Sequence, residues 1–396
     1  MNVRPSERLR RLGSAIFSEA ARWKQEAAAN GLGVIDLSVG SPDQPPAESV
    51  RKTLSKAALR SDMYSYPLTA GSREFRGAIA EWMNFRFGVD VDPDTEVTSL
   101  MGSQDGLSHL ALAIAGPGDL AIVPDPGYPI YGGSLVLAGV EAYPVPLREE
   151  NDYLFALDRI PEETARRATF MIVNYPSNPL SAVADLSFYE RLVAFAKRYD
   201  ILIVHDAAYS ELAFDGFKPP SVLEIPGAME VAVEFHSFSK SFNMAGCRVA
   251  FAVGHPQAVG ALRDLKSNLD YGVFFAVQAA AAEALRLDLN GQGEKAARLY
   301  ESRRDVFVDA LHRAGWPVAK PKATMFLWAR IPCGWTSMEI AREICRETGV
   351  VVVPGNAFGV EGEGYVRMAM VQETPVLQEA ANRLGEFFRG RGIACS

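Results

Sequence analysis

The sequence predicts an α/β protein with two domains, a large one built on a mostly parallel sheet sandwiched by helices and a smaller α+β one. Three observations carry that expectation. From about residue 95 to 255, short apolar runs rich in Val, Ile and Phe alternate with helical patterns, and each run closes on polar residues or glycine. Such runs are the signature of strands buried on both faces of a parallel sheet. Outside that span the texture changes to longer helical patterns with few short strands. A length of 396 residues also exceeds the roughly 150 that one domain usually takes.

Taken in order, a helical pattern covers 6–29, and the Pro-rich stretch 41–46 reads as a crossing loop. Strands are expected at 96–100, 120–124, 170–174, 201–205, 231–235 and 249–253. A long helical pattern over 278–314 is the expected bridge between domains, followed by short strands near 325–329, 350–353 and 365–370. The division that results is an N-terminal segment 1–45 belonging to the small domain, a large domain 46–285 and a C-terminal small domain 286–396. In such sheets ligands gather beyond the carboxyl ends of the strands.

Hydrophobic residues make up 48% and charged residues 22%, close to the averages of folded proteins, which excludes disordered and fibrous classes. The net charge of −8 without a long basic run leaves no electrostatic footprint for nucleic acid or an anionic membrane, so a small-molecule partner is expected. Cys247, Cys333, Cys345 and Cys395 show no C-x-x-C spacing, which argues against a zinc site or disulfide framework and for a reducing cytoplasm. Arg4, Arg8, Arg10 and Arg11 are followed by no signal-type apolar region, and no uncharged apolar run reaches membrane-spanning length.

The chemistry concentrates at the predicted strand ends. His236-Ser237-Phe238-Ser239-Lys240, with Arg248 eight residues on, places one amine among hydroxyls and a fixed cation. That set suits a phosphorylated aldehyde such as pyridoxal phosphate, which needs a lysine for its imine, donors for its phosphate, an acid facing its ring nitrogen and a stacking partner. Asp206 closes an apolar strand where a buried charge wants a partner such as a pyridinium N–H, unless it caps a helix. Tyr209 is placed to donate to the cofactor's phenolate oxygen or to serve as a structural tyrosine. Asn178, between Pro176 and Pro179, sits in a rigid loop that either aims its amide or simply turns the chain. Tyr128 stacks on a ring or packs in the core. Gly102-Ser103-Gln104, between a strand and a helix, suits a phosphate cradle. Arg367, in an otherwise apolar strand, suits a substrate carboxylate, its alternative being an internal salt bridge.

In their order and spacing along nearly the whole chain, these segments resemble the fold-type I, pyridoxal phosphate-dependent class I/II aminotransferases. The landmarks are Leu37 to Gly40, Tyr66 to Gly71, Gly102 to Gln104, Pro126 to Pro129, Asn174 to Pro179, Asp206 to Tyr209, Ser237 to Lys240 with Arg248, and Arg367. The wording of His205 to Glu211, Phe214 to Ser221 and Phe235 to Gly246 is most similar to the LL-diaminopimelate aminotransferases. The resemblance implies an aspartate aminotransferase-like fold with a seven-stranded sheet. It makes Lys240 the imine-forming residue, pairs Asp206 with the ring nitrogen, sets Asn178 and Tyr209 at the phenolate oxygen and stacks Tyr128 on the ring. Ser103, Gln104, Ser237, Ser239 and Arg248 would surround the phosphate, with Tyr66 entering from the partner subunit of a homodimer. Arg367 and the Gly40 backbone would grip the substrate carboxylate, and no metal is implied. Three departures lie near this site: Leu180-Ser181 where the family has Thr-Gly, Cys247 where a tryptophan precedes the arginine, and Ser41 in place of Asp.

The expected activity is therefore ping-pong amino transfer between an L-amino acid and a 2-oxo acid such as 2-oxoglutarate. The segment around Asn268 lacks the arginine that aspartate-specific relatives use for a second carboxylate. Two other readings are a C–S β-lyase of the same fold and a catalytically silent protein that binds the cofactor. Pyruvate release from cystathionine without an acceptor would mark the first, and inactivity across acceptors the second.

Overall fold

The chain's central layer is a sheet of seven strands, and the computed structural model describes residues 1, 3–12, 15–67, 70–292 and 296–392 around it. Leu68 and Thr69 of the Tyr66 to Gly71 motif, and Cys395, lie outside the described residues. In chain order the strands are β1 (Ile35–Asp36), β2 (Val97–Leu100), β3 (Leu120–Asp125), β4 (Glu141–Pro146), β5 (Ala168–Asn174) and β6 (Leu202–Asp206). They continue with β7 (Ala232–Ser237), β8 (Ala250–Gly254), β9 (Phe326–Arg330), β10 (Val350–Val351), β11 (Val353–Pro354) and β12 (Tyr365–Ala369).

The large sheet runs in the order β2-β8-β7-β6-β5-β3-β4. It is parallel from β7 through β4, while β8 runs against both β7 and β2. All six strands expected in this region form, displaced by a residue or two, and the edge strand β4, which the sequence patterns did not locate, completes the seven that the resemblance implies.

Alternation along each strand feeds two hydrophobic layers. Ile203 of β6 and Met171 and Val173 of β5 face a core built with Phe75, Ile79 and Trp82 of helix Arg73–Phe87 and Leu192 of helix Leu186–Tyr199. Val204, Phe170 and Ile172 face the opposite core, which holds Leu107 and Leu110 of helix Ser103–Ile114 and Leu262 of helix Pro256–Ser267. Each fully buried side chain of this size stabilises the fold by about 1.5–3 kcal/mol. The sheet is thereby sandwiched by helices.

A further core joins the two ends of the chain. Trp23 and Ala27 from helix Ala15–Ala29 pack with Phe307 and Leu311, with Ile340 and Ile344, and with Leu377 and Leu384. Over them lie β9, β11 and β12, which form an antiparallel three-stranded sheet, and β1 paired in parallel with β10. The helical pattern over 278–314 is divided into Phe275–Leu289 and Ala296–Arg313. Gly291 after the first helix takes φ +67, a left-handed conformation that ends helices. The opening pattern is likewise divided, into Glu7–Arg11 and Ala15–Ala29.

Candidate functional site

Three parallel strands bring their carboxyl ends side by side. Asn174 of β5 lies opposite Asp206 of β6, and Asp206 lies opposite Phe235 of β7. Asp206 is only 5% exposed. Its Oδ2 accepts a hydrogen bond from the Tyr131 hydroxyl at 2.8 Å, and its Oδ1 accepts a longer one from the Ala208 N–H at 3.3 Å. Burial pushes the carboxyl pKa up, and the Tyr131 hydrogen bond opposes that shift. Asn174 ties the neighbouring loop to the strand, donating to the Asp206 carbonyl at 2.7 Å and accepting the Asn178 N–H at 2.8 Å.

After Ser237 the chain leaves β7 and enters the one-turn helix Phe238–Ser241, where the Ser237 hydroxyl accepts the Ser239 N–H at 3.2 Å. Lys240 is half-buried there, and its Nζ donates to the Gly40 carbonyl. Burial lowers the pKa of this amine to about 8, with the positive charges of Arg367 and Arg248 acting in the same direction. Gly40 must be glycine, because a Cβ would sit 2.4 Å from the Phe326 ring.

Gly102 takes φ +86 immediately before helix Ser103–Ile114, and a Cβ there would fall 2.5 Å from Nη2 of Arg248. The missing side chain is what lets the guanidinium approach the N-terminus of the helix, and together they make an anion cradle. Ser103 is half-buried and Gln104 exposed, with the Gln104 carbonyl oxygen accepting from the Tyr128 hydroxyl at 3.1 Å. Arg248 itself holds φ +51 and donates to the Ala245 carbonyl at 3.0 Å. Beneath the turn, the buried Lys266 ammonium bridges Asp105 and Asp270, which with His109 form a cluster of potential ligand atoms that the lysine already occupies.

Arg367 comes from β12 and is buried. Its Nη1 donates to Asn178 Oδ1 at 2.8 Å and its Nη2 to the Ser38 carbonyl at 2.6 Å. Phe326 and Phe358 flank the guanidinium at 4.2 and 4.7 Å. Among the described residues its two acceptors are neutral, and its buried Nε has no hydrogen-bond partner. The internal salt bridge entertained from the sequence is therefore not what holds it. Tyr209 is buried and meets Phe326 edge-on at 5.8 Å. Ser239 is buried beside Lys240. Tyr66 stands apart in this chain, 75% exposed with its ring 5.2 Å from Tyr271.

Sequence reasoning missed Tyr131, Asn174, Phe326 and Phe358. It also missed a buried polar network one residue back from the site. Glu234 of β7 accepts from His205 at 2.8 Å, His236 at 2.5 Å and the Ser221 hydroxyl at 2.9 Å. Burial opposes ionisation of Glu234, but the two imidazoles outweigh it and hold the carboxyl far below its ordinary range. The signal was present as a glutamate inside an apolar strand, since such a charge must be paired. The network locks β6 to β7 just before Asp206 and Ser237.

A half-buried amine, a buried carboxylate and an anion cradle are the groups pyridoxal phosphate demands, so the residues present fit that cofactor. The guanidinium of Arg367, held by neutral acceptors, fits a carboxylate as well.

The profile of the aminotransferase class I and II family matches residues 33–384. An LL-diaminopimelate aminotransferase 2 from Nostoc sp. (strain PCC 7120) is 44% identical over 380 residues, covering 96% of this chain and 97% of that protein. The LL-diaminopimelate aminotransferase of Desulforudis audaxviator is 45% identical over 384 residues, covering 97% and 98%. Among solved structures, substrate-bound BacF from Bacillus subtilis superposes with a TM-score of 0.94 at 36% identity, covering 100% of this chain and 99% of that one. A probable N-succinyldiaminopimelate aminotransferase from Thermus thermophilus gives 0.89 at 37% identity, covering 94% and 100%.

Proposed function

This chain belongs to the class I and II aminotransferases and is a pyridoxal phosphate-dependent transaminase, and on that premise we propose that it transfers the amino group of LL-diaminopimelate to 2-oxoglutarate. The donor rests on the activity for which its relatives are named. The observation that carries the site is the half-buried Lys240, whose amine lies in the fields of Arg367 and Arg248.

When bound, the cofactor supplies the electron sink that lets the substrate Cα–H ionise. Lys240 Nζ would hold its aldehyde carbon, and the same Nζ as a free base would move one proton between the substrate Cα and the cofactor's C4′, so one residue would be both anchor and general acid/base. A depressed pKa leaves that nitrogen free base for part of the population near neutral pH. Asp206 pairs with the ring nitrogen and keeps it protonated. Asn178 and Tyr209 hold the phenolate oxygen, and Tyr128 stacks on the ring. Gly102, Ser103, Gln104, Ser237, Ser239 and Arg248 hold the phosphate. Arg367 grips the substrate carboxylate, with Asn178 fixing its guanidinium and the Gly40 backbone alongside.

Tyr66, exposed here, belongs to this scheme as a residue lent to the other active site of a homodimer. We assign residues 46–285 to the cofactor-binding domain, and 1–45 with 286–396 to the small domain, in keeping with the core that joins both chain ends. No helix among the described residues is long and apolar enough to cross a membrane, and we place the enzyme in the cytoplasm.

The test is an amino-donor screen with 2-oxoglutarate, comparing LL-diaminopimelate, glutamate, alanine and aromatic amino acids. LL-diaminopimelate should give the highest kcat/KM. If it is turned over no faster than alanine, the donor assignment is wrong and the class stands.

A further inference from the structure

The carboxylate expected to face the cofactor's ring nitrogen is not left to orient itself. Tyr131 lies on the first turn of helix Ile130–Ala138, three residues after Tyr128. Its ring is buried, packed edge-on against Tyr128 at 6.0 Å, and its hydroxyl reaches Asp206 Oδ2 at 2.8 Å. Among the described residues, Oδ1 has only the 3.3 Å contact from the Ala208 N–H. One carboxylate oxygen is thus firmly engaged by a neutral donor while the other keeps acceptor capacity.

We infer that Tyr131 is a positioning residue that holds Asp206 ionised and reserves its Oδ1 for a protonated ring nitrogen. The inference rests on the cofactor reading above. Its physical basis is that a buried carboxylate reverts to the neutral acid unless donors stabilise the charge, and a protonated Asp206 has no charge to pair with a pyridinium. The groups facing Asp206 are Tyr131, Tyr128 and Tyr209 as phenols, the Ala208 N–H, and His205 and His236 from β6 and β7. Burial and the Asp206 charge both raise the Tyr131 phenol well above its ordinary range, which favours the protonated, donating form.

Tyr131→Phe keeps the ring and deletes the donor. In the cofactor-free protein, the protonation midpoint of Asp206, read as the infrared carboxyl band lost in Asp206→Asn, should rise by about one pH unit. Pyridoxal phosphate affinity, read by absorbance titration, should fall about tenfold. In an Asp206→Asn background, adding Tyr131→Phe should cost nothing more, because the group it acts through is gone.

An unmoved Asp206 midpoint with only a lowered melting temperature would make Tyr131 a packing residue and overturn the inference. So would equal losses in the two backgrounds. If Asp206→Asn alone leaves cofactor affinity unchanged, the fault lies instead with the assignment of Asp206 to the ring nitrogen.

Discussion

Replacing Arg367 by lysine keeps the positive charge and removes the fork. In the folded chain the guanidinium spends one Nη on Asn178 and the other on the Ser38 carbonyl, with Phe326 and Phe358 fixing its plane. Each Nη carries a second N–H beyond these bonds, and those are what a substrate carboxylate would meet. An ammonium offers that carboxylate a point charge in place of a bidentate pair. Losing one charge-assisted hydrogen bond costs about 1.5–3 kcal/mol, and each 1.4 kcal/mol is a factor of ten. Arg367→Lys should therefore lower kcat/KM by about 10- to 100-fold, chiefly through KM. Amino and 2-oxo acids share the carboxylate, so stopped-flow traces of the bound cofactor's absorbance should show the same loss in both half-reactions. Cofactor affinity should stay unchanged, since Arg367 is not part of the phosphate cradle. A loss confined to one half-reaction, or a fall in kcat at constant KM, would refute the carboxylate assignment.

Three further outcomes follow from the same geometry. Because the Lys240 pKa lies near 8 instead of 10.5, capture of pyridoxal phosphate by the cofactor-free protein should rise with pH up to about 8 and level off above it. A plateau reached only near pH 10 would show that the amine is not depressed. Gly102→Ala forces a Cβ to 2.5 Å from Arg248 Nη2 at φ +86. The backbone strain alone is about 1–3 kcal/mol, and equilibrium titration should show a loss of cofactor affinity of at least tenfold. Glu234→Gln breaks a buried, doubly paired carboxylate, which should cost about 3–5 kcal/mol by denaturant titration. The folded pKa of Glu234 is lowered, so its stabilisation is present above the unfolded value near 4.5 and lost as pH falls below it. The variant's stability should fall less steeply than the wild type's across that acid range.

Strands buried on both faces were legible because they have no polar side to disguise them: β5 reads ATFMIVN and closes on Asn174, and β6 closes on Asp206. The edge strand β4, EAYPVP, escaped because most of its residues are not buried and it carries two prolines, which only an edge tolerates. The reversed direction of β8 was illegible for a different reason. A parallel crossover takes about a dozen residues or more, and the connection from Ser237 to Ala250 is of about that length, so spacing alone fits either direction; the chain returns through the short helices Phe238–Ser241 and Ala245–Cys247. At the site, residue type and position on a strand end singled out Lys240, Asp206 and Arg367. What they left open was partners. Whether Arg367 met a carboxylate or neutral oxygens depended on Asn178 and Ser38, which lie 189 and 329 residues away in sequence. Tyr131 was hidden because one apolar-looking tyrosine in a helix that reads IYGGSLVLA carries no mark of the carboxylate it meets.

The most direct test is to saturate the purified protein with pyridoxal phosphate, reduce it with borohydride and map its peptides by mass spectrometry. The phosphopyridoxyl group should appear on Lys240, and Lys240→Ala should lose both the label and turnover. A label confined to other lysines, or transamination surviving in Lys240→Ala, would contradict the account.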